Sequence, residues 1–163
     1  MDYQDELKTL LQLLPNEDKV KFALYCAKDC FHLIKEEDSK IKASKCIELI
    51  EKWLLDPKSV TSQELVNASA NAYTFSYHYP ASNAVASASN AVYAAATAYA
   101  AATAVSAYFS FAYYSIRTNA SVVSAFAYAG AASYTHETKH RHYYDYLVSM
   151  LDPLQKVIYS RLA

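Results

Sequence analysis

The fold of this chain is decided by the stretch Ala91-Val-Tyr-Ala-Ala-Ala-Thr-Ala-Tyr-Ala-Ala-Ala-Thr-Ala-Val-Ser-Ala-Tyr108. It lies within Leu65–Thr135, where Arg117 is the one formally charged side chain. Alanine is the best helix former, and the Ser, Thr, Tyr and Val residues here are tolerated in helices. Small side chains let helices approach closely, and tyrosines supply large apolar faces. We therefore expect an all-α fold in which this uncharged region forms a buried central helix pair.

The whole chain has 163 residues and a single glycine, Gly130. This length suits one compact domain with a substantial core. Phosphate-binding loops and dinucleotide-binding folds need several glycines for close backbone approach, so the composition excludes them. Hairpin-rich β folds are also disfavoured, because their tight turns draw on glycine.

Apolar residues at helical spacing predict three helices in the N-terminal third. The first covers Tyr3–Leu14 and is closed by Pro15, and the second runs from Asn16, an expected N-cap, to about Lys35. The third covers Lys40–Leu55, because Asp56-Pro57 cannot continue a helix. The charged patch Lys35-Glu-Glu-Asp-Ser-Lys40 between the last two is expected to be a solvated loop or a frayed helix end.

Capping signals organise the rest of the chain. Thr61-Ser-Gln-Glu64 has the spacing of a capping box and opens a fourth helix. A helix break is expected at Arg117-Thr-Asn-Ala120, with Thr118 or Asn119 as the cap of a helix through Val122 and Phe126. Helical pattern returns over Tyr143–Leu151, and Asp152-Pro153 starts a final short helix with aspartate at the N-cap.

Together these signals predict a single-domain helical bundle of six to eight helices over residues 1–163. Charged N-terminal helices fill 1–60, Ala/Tyr-rich core helices fill 61–135, and C-terminal helices fill 136–163. The N-terminal helices are expected to pack around the central ones.

Charge and cysteine usage bear on partners and compartment. Residues Met1–Glu64 hold 13 acidic side chains and 10 lysines, and the chain as a whole carries a net charge of −1. This balance argues against nucleic acid or an anionic membrane as the partner. Cys26, Cys30 and Cys46 are odd in number and are expected to be small buried hydrophobes in a reducing compartment. With no signal segment at Met1, we expect a cytoplasmic protein.

His136-Glu-Thr-Lys-His140 matches the H-E-x-x-H pattern of zinc proteases. On a helix, His136 and His140 would face one metal and Glu137 would act as general base. The match lacks the usual third ligand, and His142 or Asp145 would have to replace it. A solvated helix terminus is the favoured interpretation, so we predict no metal and no cofactor, with a zinc-dependent hydrolase as the alternative.

The candidate partner-binding residues lie around the same segment and at the helix break. Tyrosines are favoured anchors of protein interfaces, and the adjacent pair Tyr143/Tyr144 is a candidate. Basic and imidazole side chains beside it and at the break complete the set: Arg117, His140, Arg141 and His142.

Three segments of the chain form a recognisable pattern: Phe22-Ala-Leu-Tyr-Cys-Ala-Lys-Asp-Cys30, Lys42-Ala-Ser-Lys-Cys-Ile-Glu-Leu-Ile-Glu-Lys-Trp-Leu54 and Ala91-Val-Tyr-Ala-Ala-Ala-Thr-Ala98. This pattern resembles the immunity protein family of bacterial polymorphic toxin systems. The resemblance implies an all-helical, non-enzymatic inhibitor that binds and blocks an intracellular toxin or nuclease. The family's middle region carries glycine, arginine and histidines. This chain has other residues at those positions, and a site built on the family's residues would be lost or remodelled here. The residues in question are Asn90, Val92, Tyr93 and Tyr99.

Four functions therefore stay open at this point. The first is an antitoxin-like protein inhibitor whose partner is a toxin or nuclease effector, with no direct nucleic-acid or membrane contact. The second is an inhibitor from a virus or mobile element that acts on a host defence nuclease. The third is the hydrolase that uses His136, Glu137 and His140. The fourth, a structural or ice-binding helix protein, is disfavoured because Thr97 and Thr103 do not share a helix face. A homodimer is compatible with the first two.

Overall fold

The fold is all-α, as the sequence predicts. In the computed structural model, the described residues are 3–34, 37–61, 64, 67, 119–120, 122–123, 125–127 and 136–162, and none of them lies in a strand. The expected central helix pair and Arg117 fall outside these residues. The total number of helices and the three-part division of the domain therefore stay predictions.

Five α-helices have defined bounds. They are α1 (Tyr3–Leu11), α2 (Asn16–Cys30), α3 (Glu37–Leu55), α4 (His136–Met150) and α5 (Pro153–Leu162). Short 3-10 turns, Phe31–Leu33 and Pro57–Ser59, follow α2 and α3. The described positions among 119–127 are also helical, and we refer to them as the 119–127 segment.

The N-cap predicted for α2 is wrong, and α3 and α4 begin before the predicted Lys40 and Tyr143. Pro15, not Asn16, occupies the N-cap of α2, and no side chain caps this helix; Asn16 is its first helical residue. Helix α3 begins at Glu37, so the described part of the patch predicted as a loop or a frayed helix end is the first turn of this helix. Acidic side chains in the first turn interact favourably with the helix dipole and stabilise the helix. Asp38 also forms an ion pair with Lys42 one turn later, with 2.7 Å between Oδ2 and Nζ. The charges that suggested a loop therefore stabilise the start of α3.

Two of the predicted capping signals, at Thr61 and Asp152, are confirmed. The Glu64 backbone N–H donates to the Thr61 hydroxyl at 3.2 Å, and the Glu64 carboxylate accepts from the Thr61 N–H at 2.7 Å. Asp152 caps α5 in the same reciprocal way through Gln155, with donor–acceptor distances of 2.8 and 2.9 Å. Asn119 is not the expected cap, because it lies within helix and its buried Oδ1 accepts no hydrogen bond. Thr118 lies outside the described residues.

The described core joins the N-terminal helices to α4 and the 119–127 segment. Helices α1, α2 and α3 contribute leucines, alanines and branched side chains, as their spacing predicts, and Cys26 and Cys46 are buried among them. Burial raises the pKa of the Cys46 thiol to about 12. The largest fully buried side chains are Tyr143, Phe22, Phe126, Leu7, Leu10, Leu11, Ile34, Ile50, Leu147 and Val20.

Helix α5 is attached differently from the others. It has no buried residue. The Tyr159 hydroxyl donates to the Glu6 carboxylate of α1 and lies 2.6 Å from the Tyr144 hydroxyl of α4. The Gln155 amide donates to the Leu13 carbonyl at 2.7 Å. Polar contacts therefore hold this helix against the body of the protein.

Within the described residues, no helix is both long enough and apolar enough to cross a bilayer.

Candidate functional site

The candidate site is a solvent-open groove between α2 and α4 that reaches the end of α3. Its volume is about 470 Å³. Helix α2 forms one side because residues 21, 25 and 28 lie three or four positions apart and share a helix face. The lining side chains, which we call the Tyr25 groove, are Lys21, Leu24, Tyr25, Lys28, Asp29, Leu54 and Tyr146.

Two stacked tyrosines form the wall of the groove. The Tyr25 and Tyr146 rings lie parallel, with centroids 3.8 Å apart and an interplanar angle of 11°. Tyr143 meets Tyr25 edge to face at 6.1 Å, and Phe22 supports Tyr146 from below at 6.5 Å. Ring quadrupoles favour offset-stacked and edge-to-face contacts between aromatic side chains. The aromatic wall is therefore held rigidly between two helices.

His142 extends this wall toward solvent. Its Nε2 lies 2.6 Å from the Tyr25 hydroxyl. Burial, followed by the nearby Asp29 charge, raises the pKa of Tyr25, so the phenol stays protonated at neutral pH. Tyr25 can then donate to a neutral Nε2 or accept from a protonated one. The histidine ring itself is exposed and available to a partner.

Asp29 joins α2 to α4 at the base of the groove. Its Oδ2 accepts from the Lys139 ammonium at 2.8 Å and from the Tyr143 hydroxyl at 2.7 Å. Burial alone would raise the pKa of this carboxyl, but the Lys139 and Tyr143 hydrogen bonds outweigh it and the pKa is lowered. Asp29 is therefore a carboxylate at neutral pH and fixes the register of the two helices.

The lysines that line the groove are matched by acids. Lys28 pairs with Glu51 of α3, and Lys21 lies 3.1 Å from Glu17 and 3.4 Å from Asp18. These pairs are partly exposed, so each contributes little to stability. They surround the aromatic wall with alternating charges, which is typical of the polar rim of a protein interface.

The structure separates the predicted partner-binding residues. Arg141 and His142 are exposed, and Arg141 lies 3.9 Å from Asp145. His140 is half-buried and stacks on Phe126 with centroids 4.6 Å apart. Tyr144 lies toward α5 and meets Tyr159.

Tyr143 corrects the expectation of a partner-binding surface, because its side chain is completely buried. Lys139 is also drawn into the ion pair with Asp29. The His-rich segment is thus the first half of α4 packed on α2, and only part of it is solvated. Arg117 lies outside the described residues.

None of the seven lining residues of the groove was among the predicted binding residues, including its central side chains Tyr25, Asp29 and Tyr146. The available signal was spacing, since Tyr25 and Asp29 are four residues apart on α2, as are His142 and Tyr146 on α4. Nothing in the sequence showed that these two faces meet.

The described side chains do not form a zinc site. Among the side chains that the structure describes, no three His, Cys, Asp or Glu residues converge as metal ligands would. The side chains of His136 and Glu137 lie outside that set. The pattern does lie on a helix, since α4 begins at His136.

Comparisons of the chain with family models, with curated proteins and with solved structures found no match in any of the three.

Proposed function

We propose that this chain is a non-enzymatic, protein-binding inhibitor of the immunity type, which binds an intracellular toxin or nuclease effector through the Tyr25 groove. The observation that supports the proposal most is the stacked Tyr25–Tyr146 wall, continued by exposed His142 and flanked by exposed Arg141. Tyrosine and arginine are the residue types that most often carry binding energy in interfaces.

Rigidity supports the same proposal. The Tyr25 and Tyr146 rings hold each other in place, and the Asp29 bridge to Lys139 and Tyr143 locks the helices that carry them. A preorganised surface loses little side-chain entropy on binding, so more of the contact energy remains as affinity.

Charge supports a basic partner. The N-terminal third as a whole has 13 acidic side chains against 10 lysines, and the groove lysines Lys21 and Lys28 are matched by the acids beside them. Opposite charge on an effector would speed its association and disfavour acidic proteins. Nucleases bind a polyanion and commonly expose basic surfaces, so they fit this requirement.

The proposal is tested by measuring binding to the effector domain encoded beside this gene, with isothermal titration calorimetry. We expect a nanomolar Kd for the wild-type chain. Tyr25→Ala removes half of the aromatic wall and should weaken binding by about thirtyfold or more. His142→Ala and Arg141→Ala should weaken it less, because both side chains lie at the rim.

Lys156→Ala is the matched control, since Lys156 is an exposed cation on α5, away from the groove. It should bind like the wild type. Absence of binding to any neighbouring effector would contradict the proposed function. Binding that is unchanged in Tyr25→Ala would contradict the groove as its site and leave the function standing.

A further inference from the structure

The surface of α5 is the most apolar exposed region among the described residues. Six large hydrophobic side chains are exposed among the described residues, and four of them lie on this one helix: Leu154 (68% exposed), Val157 (48%), Ile158 (39%) and Leu162 (60%). At 3.6 residues per turn, Leu154, Ile158 and Leu162 stand one above the next, and Val157 lies beside them. We call these four side chains the α5 stripe.

We propose that the α5 stripe is a dimerisation surface whose partner is α5 of a second copy of this chain, packed antiparallel. This proposal is independent of the Tyr25 groove, which lies between α2 and α4.

The size of the stripe fits this partner. The exposed fractions of the four side chains correspond to roughly 400 Å² of apolar surface, a size that marks interaction sites on proteins. Two such stripes buried together remove roughly 800 Å² from water. With their polar rim, they approach the roughly 1,200 Å² at the lower end of specific interfaces. A modest, reversible dimer is expected from this area.

The stripe is also complementary to itself. Its centre lies between Val157 and Ile158, about midway along a helix of roughly 15 Å. Antiparallel pairing about this point brings the two copies of Val157 together near the two-fold axis, with Ile158 of each copy at the same height as Val157 of the other. A two-fold interface requires this kind of reciprocal match, because one surface serves both subunits.

Charge distinguishes a second copy from a basic effector. Arg161 lies on the same helix face as the stripe, and α5 itself carries no acidic residue. In the antiparallel pair Arg161 falls opposite Leu154 of the second copy, at the end of α5 that Asp152 caps through Gln155. A basic effector offers no such counter-charge. The Arg161 side chain is long enough to reach lipid headgroups, so the vesicle measurement below decides against or for that occupant.

The first experiment is sedimentation equilibrium of the full chain over a wide concentration range. We expect a monomer–dimer equilibrium for the wild type. Val157→Glu places two carboxylates together at the two-fold axis and should raise the dimer Kd by about thirtyfold or more. Leu55→Glu is the matched control, because Leu55 is 89% exposed on α3 and outside the stripe. A wild type that stays monomeric at every concentration would overturn the proposal.

The second experiment tests the pairing geometry without disturbing the fold. Val157→Cys should form an intermolecular disulfide rapidly on mild oxidation, because the two copies of this residue meet near the axis. Lys156→Cys, on the opposite side of α5, should cross-link much more slowly. Equal cross-linking of the two variants would contradict antiparallel stripe pairing.

The remaining occupants are excluded by two further measurements. If the wild type were monomeric and bound phosphatidylserine vesicles, and Val157→Glu did not bind them, the stripe would be a lipid-binding surface and the proposal would fail. If Val157→Glu abolished effector binding with no change in self-association, an effector surface would replace it. Unchanged effector binding together with loss of the dimer is the expected result.

Discussion

Helices α4 and α5 are neighbours in sequence, yet the protein holds them by opposite means. Helix α4 buries Tyr143 and Leu147 completely and is tied to α2 through Asp29. Helix α5 buries no residue and is held through the side chains of Tyr159 and Gln155. The difference shows that α4 is part of the core, whereas α5 is a surface element whose apolar side chains remain available to another molecule.

The largest effect is expected when one buried leucine of α4 is truncated and compared with an exposed leucine of α5. Leu147→Ala in α4 should lower the free energy of unfolding by about 2–5 kcal/mol, because it removes a fully buried side chain and leaves a cavity. Leu154→Ala in α5 should change it by less than about 0.5 kcal/mol in dilute, monomeric protein. Urea unfolding measures both. Equal losses would break the contrast between the two helices.

Asp29→Asn tests the polar link between α2 and α4. The variant removes the charge opposite Lys139 and weakens the acceptor of the Tyr143 hydroxyl, so we expect a loss of about 1–3 kcal/mol in urea unfolding. Asp145→Asn is the control, since the Arg141–Asp145 pair is exposed and should cost less than about 0.5 kcal/mol. A negligible effect of Asp29→Asn would mean that apolar packing alone holds α4.

A substitution at Lys19 in α2 is expected to stabilise the protein, unlike the substitutions above. Its side chain is almost fully buried, and burial lowers the pKa of its ammonium group. Lys19→Met should therefore raise the free energy of unfolding by about 1 kcal/mol, because it removes a desolvated charge and keeps the aliphatic volume. Lys156→Met on exposed α5 should have no such effect. A loss of stability in Lys19→Met would show that the ammonium group is stabilised where it lies.

The smallest effect is a pH dependence of the α2–α4 link. Because the folded pKa of Asp29 is lowered, its contribution is present above the unfolded carboxyl's pKa of about 3.9 and is lost as pH falls through the folded value. The stability difference between the wild type and Asp29→Asn should therefore shrink below about pH 4. A difference that stays constant from pH 7 to pH 3 would contradict this assignment.

Local chemistry explains what could be predicted from the sequence. The Thr61–Glu64 capping box and the Asp152 cap each depend on groups three residues apart, and both appear as expected. The buried faces of α2 and α3 follow from apolar residues at helical spacing. The start of α3 was mispredicted because Glu37 and Asp38 were treated as solvated loop residues, although acidic side chains favour a helix N-terminus.

The candidate site could not be predicted in the same way, because its contacts are distant in sequence. Asp29 and Lys139 are 110 residues apart, and Tyr25 and His142 are 117 apart. Helical periodicity tells which residues share a face but not which faces meet. Arg141, His142 and Tyr143 were all predicted as binding residues from their residue types, yet the first two are exposed and Tyr143 is buried.

The contact between Tyr159 and Glu6 also sets an order of events during synthesis. These residues lie 153 positions apart, so α1 emerges from the ribosome long before its α5 partner exists. Contacts of such long range carry a large loop-closure cost and slow folding. The Glu6 side of α1 therefore stays uncovered by α5 until Tyr159 has been synthesised.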